Sequence, residues 1–426
     1  MRKVGNWKKY SLATQVGISA LAYLLISYFL SRTQFLPFIA AYSVLFLAFW
    51  KLYSSISWKV GFLVAVGFRL LVLFSIPVLS DDYLRFLWDG RLQFEGLNPY
   101  LFTPQHIYNQ FNYSSMDGWY IAMNSPNYYT VYPPFNQYLF ALSGWIENER
   151  LAILALKLPL FFAEIGTLIL LPKLLKTYGL SRKNTLLYAL NPLVVLEICG
   201  SLHYEGIMIF FLVASLYAIR INRWIFGALL FGLAVSTKLI PLMFLPLLIR
   251  EIGWRKTIAF SALVLGTLGV TFIPYLTEEL IANLGSSLDL YFRSFSFNGG
   301  VYSLLNAVLP KSWNGYIGFT LLLFPISLIA YFVFGPRRSP ELPRRMVLLQ
   351  SVYYFFSAVV HPWYLTTVLA FNIFKPLRFV IAWSFLVGLS YFTYRGFPYL
   401  ESPWIIGIEY ALLLLFLAYD WGRQKT

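Results

Sequence analysis

Apolar runs of roughly 20 residues, set off by short basic clusters, recur along almost the whole chain. Residues 11–30 read as a span leaving the cytoplasm, 36–50 as its return, and 60–79 as a second exit charged only at Arg69. Residues 151–171 return, and 184–200 with 206–219 form a hairpin tipped by Ser201-Leu202-His203-Tyr204-Glu205. Residues 257–274 leave again and 316–334 return, and 379–394 with 404–418 complete the set. Two intervals are too short for a pair of ordinary spans. Only about 26 residues separate Arg223 from Arg250, where two crossings need roughly 40. The interval from Arg345 to Lys375 repeats the problem. Each reads as two short helices or a re-entrant segment, with Thr237-Lys238 at the first break and His361-Pro362-Trp363-Tyr364 at the second. The pattern predicts an all-α polytopic membrane protein of about 12–14 transmembrane or re-entrant helices. It predicts one domain over 1–426, with no internal sequence repeat.

Two stretches interrupt the pattern on the side opposite the basic loops. Residues 80–150 form the longer one and residues 277–314 the second, which holds Arg293 and Ser296-Phe297-Asn298-Gly299-Gly300. The first is too rich in Tyr, Phe and Trp for a solvated loop. It predicts short amphipathic helices lying in the membrane interface.

Composition agrees with this. The chain has 426 residues, 59% of them hydrophobic and 19% aromatic, with a mean hydropathy of +0.65. The net charge of +15 does not point to nucleic acid, because the cations follow topology. They lie at Arg2-Lys3 and Lys8-Lys9, and around Lys173, Arg182, Arg220, Arg250, Arg337, Arg344, Arg378 and Arg423, as the positive-inside rule requires. The first apolar stretch shows no small-residue cleavage site and leads straight into more membrane helix. The single cysteine, Cys199, excludes an internal disulfide, and three histidines argue against a histidine-built zinc site.

Against this background the stretch from Ser80 to Glu95 stands out. Asp81 and Asp82 follow directly on the third apolar run, and Tyr83, Arg85, Asp89, Arg91 and Glu95 come next, in a chain only 12% charged. Adjacent residues at a helix start point about 100° apart, so one carboxylate can act as a base while the other orients or caps. The plain alternative is an N-cap, a favoured role for Asp. Lys238 is a cation at membrane depth, which usually faces a cavity; its alternative is to snorkel to the interface. His361 precedes Pro362 in an apolar run and is otherwise a buried, backbone-bonded histidine. Arg293 is otherwise a solvated loop charge. His203 and Glu205 tip a hairpin, and Arg69 is placed to pair with Glu164 of another span. Carboxylates suit base work, interfacial cations suit a lipid phosphate, and aromatics suit sugar rings. Together they describe group transfer from a lipid-linked phosphate donor to an acceptor outside the cytoplasm.

Asp81-Asp82-Tyr83, then Trp88-Asp89-Gly90-Arg91, then Gly96-Leu97-Asn98-Pro99-Tyr100, resembles bacterial polytopic mannosyltransferases of the GT-C superfamily. Asp82-Tyr83 with Asn98-Pro99-Tyr100 and Tyr132-Pro133-Pro134 also resembles the first outer loop of the catalytic GPI mannosyltransferase I subunit. Asn191-Pro192 through Glu197 to His203-Tyr204-Glu205, Thr237-Lys238 and Pro362-Trp363-Tyr364 match patterns of the same families, so the resemblance runs from Ser80 to Tyr364. It departs in one respect: two spans precede the one that carries the acidic pair, whereas in many members the pair follows the first helix directly.

The resemblance implies an inverting glycosyltransferase that moves a sugar, with mannose the first expectation, from a polyprenyl-phosphate donor to an extracytoplasmic glycan or lipid acceptor. Asp81 or Asp82, with a lean to Asp81, is the base. Lys238, Arg293 and His361 hold the donor phosphate, and Tyr83, Arg85, Asp89, Arg91, Tyr132, His203 and Glu205 line the substrate pocket. No cofactor is implied; an adjacent acid pair can also bind a divalent metal, which stays as the lesser alternative. A bacterial inner membrane, cytoplasmic termini and an extracytoplasmic site complete the expectation. A transporter or flippase of lipid-linked sugars would also use membrane cations and broken helices; it lacks visible repeats here and leaves the one-sided acidic loop unexplained. A polymerase or ligase of lipid-linked oligosaccharides would carry its largest outer loop late in the chain.

Overall fold

The computed structural model describes residues 2–111, 116–293, 295–336 and 340–423, with side chains throughout except at 2–11, 111, 288, 290–293, 311, 314 and 315. The described chain is helical and holds no β-strand; isolated bridges join Phe297 and Asn298 to Val359. It forms two compact units, residues 1–79, 168–203 and 361–426 in the first, and 80–167 with 204–360 in the second.

Among the described residues five helices are long and apolar enough to cross a membrane unaided: Phe35–Ser55, Glu149–Thr177, Trp254–Tyr275, Tyr316–Phe334 and Pro403–Arg423. Other expected spans are shorter or broken. The run at 184–200 is split into Leu186–Ala189, Pro192–Val194 and the π-wound Val195–Gly200. The short interval after Arg223 is the helix Trp224–Thr237, a break at Lys238, and a 3-10 segment Ile240–Leu248 containing Pro241 and Pro246. Proline removes a backbone donor and clashes with the preceding turn, so such segments cannot run as straight helices. The other short interval is Leu342–Phe356, a break at His361-Pro362, and Leu365–Asn372. The short pairs read from charge spacing are thus present, each as a helix ending at a polar break.

In the first unit buried polar groups tie the helices together. Arg69 is fully buried, and its guanidinium donates to the carbonyls of Ala65 (3.0 Å) and Ala189 (2.8 Å). Asn191 caps Leu193 through Oδ1 (3.0 Å) and donates to Ser384 Oγ (3.0 Å). In an apolar medium such bonds are needed, because a buried donor left unmade costs about 1–3 kcal/mol.

The second unit is built round the helix Asp82–Phe94. Its sequence writes three stripes at the i, i+4 spacing of a helix. Leu84, Trp88 and Leu92 form one and pack with Ile107, Met116 and Met123 from the short helices Pro104–Phe111 and Asp117–Ala122 and their flanks. Phe86 and Gly90 form the second; Phe86 stacks on Phe140 at 4.5 Å and meets the edges of Tyr132 and Tyr204. Arg85 and Asp89 form the third, a buried ion pair at 2.7 Å. The large side chains of the first two stripes are buried, each worth about 1.5–3 kcal/mol by burial alone. The described residues between 80 and 150 therefore form a folded set of short helices, as the aromatic content predicts.

Candidate active site

Asp81 occupies the position before the Asp82–Phe94 helix, yet its carboxylate makes no capping bond. Ser80 supplies that bond instead, its Oγ accepting from the Asp82 backbone N–H at 3.2 Å. The capping reading of Asp81 therefore fails on geometry. Asp82 opens the helix, where a carboxylate complements the helix dipole, and its Oδ1 accepts from Asn124 Nδ2 at 3.1 Å. Both acids are half-exposed. Tyr83 lies against the aromatic cluster around Trp88.

Arg85 and Asp89 sit deeper. Arg85 is buried and reaches from Asp89 Oδ1 to the carbonyls of Ser125 (3.2 Å) and Tyr128 (2.8 Å), so it clamps the loop that carries Asn124. Asp89 is fully buried, and its Oδ2 accepts from Gln137 Nε2 at 2.9 Å. Arg91 pairs with Glu95 at 2.9 Å and bonds the Gly144 carbonyl at 3.3 Å. Tyr132 presents its ring to Phe86 and its carbonyl to the Tyr100 hydroxyl at 2.6 Å. Burial, and after it the Asp89 charge, push the Tyr100 phenol well above the usual tyrosine range.

Lys238 stands where the Trp224–Thr237 helix stops, and it closes an ion pair with Glu205 Oε1. Glu205 is the first residue of the helix Glu205–Arg220 and only 2% exposed; its Oε2 has no hydrogen-bond partner among the described residues. The Lys238 side chain keeps 22% of its surface exposed. Two amides that the sequence reading passed over tie this pair to the acidic helix. Asn136 donates to the Thr237 carbonyl at 2.7 Å, next to Lys238, while its neighbour Gln137 holds Asp89. Both are fully buried on the helix Pro134–Phe140, which Pro134 pre-organises at its first turn. The signal available in sequence was two adjacent amides one residue beyond Tyr132-Pro133-Pro134.

The remaining candidates fall elsewhere. His203 and His361, both in the first unit, are brought together by Trp363. His203 stacks on it at 3.8 Å and His361 at 4.3 Å, so its aromatic surface is committed to imidazoles. His203 Nδ1 contacts the Glu197 backbone oxygen at 2.9 Å, and Glu197 Oε1 accepts from the Tyr391 hydroxyl at 2.5 Å. Glu197, an acid inside an apolar run, was legible only as part of a motif. Arg293 closes the helix Leu280–Arg293, and its side chain lies outside the described residues. Among the described residues no three His, Cys, Asp or Glu side chains gather as a metal site.

The geometry offers a half-exposed acid pair and an ion-paired cation on one connected framework. Residues 13–252 match the family model described as alpha-(1->6)-mannopyranosyltransferase, N-terminal domain. Residues 201–338 match the model of the ALG3 protein family. No curated protein and no solved structure matches the chain. The first match takes in the acidic pair, the buried amides and the Lys238–Glu205 pair together.

Proposed function

As the chain belongs to the alpha-(1->6)-mannopyranosyltransferase N-terminal domain family and is a membrane-embedded glycosyltransferase, we propose that it moves mannose from a polyprenyl-phosphate donor to an extracytoplasmic glycan or lipid, with inversion. The observation that carries this reading is the span of that match, which takes in Asp81, Asp82, Asp89, Glu205 and Lys238 together.

The donor enters from the bilayer, and Lys238 meets its phosphate, joined by Arg293 of the same unit. The acceptor hydroxyl lies between the donor anomeric carbon and the acid pair. Asp81 takes the hydroxyl proton while the acceptor oxygen bonds to the anomeric carbon. The bond from that carbon to the phosphate oxygen breaks in line, and polyprenyl phosphate leaves with the electron pair. A β-linked donor so gives an α-linked product. Asp81 is preferred as base because its carboxylate sits at the start of the helix without capping it. The cations neutralise the leaving phosphate directly, so no divalent metal is required. A bacterial inner membrane, cytoplasmic termini and an extracytoplasmic site accord with the distribution of basic loops.

The test is transfer of radiolabelled mannose from synthetic polyprenyl-phosphate-mannose by purified protein, with native membrane lipids and glycans as acceptors, in the presence of EDTA. Label in a new product supports the reading. No transfer from mannose, glucose or arabinose donors, together with lipid scrambling in proteoliposomes, would overturn it.

A further inference from the structure

The helix Leu342–Phe356 carries a group that neither the motifs nor the acidic loop account for. Gln350 is fully buried in it. One end of its amide bonds the Tyr354 hydroxyl at 2.8 Å, one turn along the helix. The other end has no partner among the described residues. Tyr354 is itself buried, and the helix packs against Ile240–Leu248, the segment that follows Lys238, where its Arg345 donates to the Leu247 carbonyl at 3.1 Å. Glu205 gives one oxygen to Lys238 and leaves the other buried without a partner among the described residues.

Two unmet polar atoms, one on Glu205 beside Lys238 and one on the helix packed against the segment after Lys238, need a physical reason. Each leaves a desolvated group unpaired, and in a helical body embedded in lipid water does not reach such groups freely. A carboxylate oxygen accepts hydrogen bonds, and either end of an amide pairs with a hydroxyl. Beside the Glu205 oxygens stands Lys238, a cation suited to an anionic oxygen. The complement is a molecule with a phosphate at one end and hydroxyl groups beside it.

We infer that Gln350 and the free oxygen of Glu205 hold hydroxyl groups of the donor sugar while Lys238 holds its phosphate, with Tyr354 as the positioning residue that fixes the Gln350 amide. This rests on the transferase reading and extends it to a helix outside the matched span that ends at residue 252. Gln350 then belongs to sugar recognition and adds nothing to holding the lipid phosphate.

The experiment compares binding of polyprenyl-phosphate-mannose and of polyprenyl phosphate to the purified full chain in lipid nanodiscs, by intrinsic tryptophan fluorescence. Wild type is expected to prefer the mannosyl lipid. In Gln350→Leu that preference falls roughly tenfold and affinity for polyprenyl phosphate stays. Tyr354→Phe, which keeps the packing, reduces the preference in the same direction, and Gln350→Met serves if the leucine variant does not fold. Unchanged preference in folded variants overturns the assignment of Gln350 alone. A wild type that binds neither lipid overturns the donor reading and this inference with it.

Discussion

Lys238 and Glu205, separated by 33 residues, close on each other as an ion pair with the carboxylate 2% exposed. In the ligand-free protein the cation expected to meet a phosphate is therefore already neutralised, and an anionic donor has to compete with Glu205 for it. Lys238→Ala is expected to raise the donor KM roughly 10–100-fold, the worth of a charge-assisted bond, with little change in acceptor KM. The same change strands a buried carboxylate and lowers stability by on the order of 2–4 kcal/mol. The double variant Lys238→Ala with Glu205→Gln should recover stability and leave donor use impaired. Kinetics and thermal unfolding on the three proteins check this, and a double variant with normal donor KM would mark the lysine as structural.

The acid pair separates by its partners. Asp81→Asn is expected to lower kcat by at least about 100-fold, the usual worth of a general base. Asp82→Asn should also reduce transfer. Asn124→Ala should follow it in milder form, since it frees the Asp82 carboxylate and leaves Asp81 untouched. Full activity in both aspartate variants would remove the base assignment.

How far the sequence could be read follows from the range of each signal. The acid pair and the helix it opens are local, and the Leu84, Trp88, Leu92 stripe follows from periodicity, so both were legible. Lys238 was legible as a cation in an apolar stretch. Its partner was not, because nothing local links it to Glu205. The Glu197–Tyr391 bond spans 194 residues, and no pattern in a single chain announces such a pair. Asn136, Gln137 and Gln350 were missed for another reason. An amide in an apolar run looks like a weak break in hydropathy and becomes meaningful only when its bonding partner is visible. The broken spans were read from charge spacing, which registers length and says nothing of the π-wound turn at Val195–Gly200.

Tyr100 gives the outer layer a pH dependence. Its phenol is buried and bonded to the Tyr132 carbonyl, and it ionises well above the usual value of about 10. The unfolded chain loses this proton first as pH rises, so the stabilising contribution is whole below pH 10 and is lost as pH climbs above it. Tyr100→Phe is expected to lower stability by about 0.5–1.5 kcal/mol near neutrality through the lost hydrogen bond. It should also flatten the fall in unfolding midpoint between pH 9.5 and 11. Parallel curves for both proteins would show that Tyr100 does not carry the effect.

The seat of the acidic helix depends on two glycines that meet at the backbone. A Cβ on Gly90 would stand 2.2 Å from the Phe140 carbonyl oxygen, and one on Gly144 would stand 2.2 Å from the Gly90 carbonyl oxygen. Neither neighbour is a flexible side chain, so alanine at either position forces the Asp82–Phe94 helix away from residues 140–144. Overpacking of this kind costs about 1–3 kcal/mol. Phe86, stacked on Phe140, and Asp89, held by Gln137, ride on the same contact, so the displacement reaches the site as well as the core. Gly90→Ala and Gly144→Ala are expected to lower the thermal midpoint and kcat together. Gly67→Ala is the control: its Cβ meets nothing within 4 Å, and helix propensity alone should make it neutral or stabilising by about 0.5–1 kcal/mol. Thermal unfolding and transfer rates on the three variants decide the matter. Normal stability in Gly90→Ala would mean that the helix has room to move and that its close seating on residues 140–144 does not hold the acid pair in place.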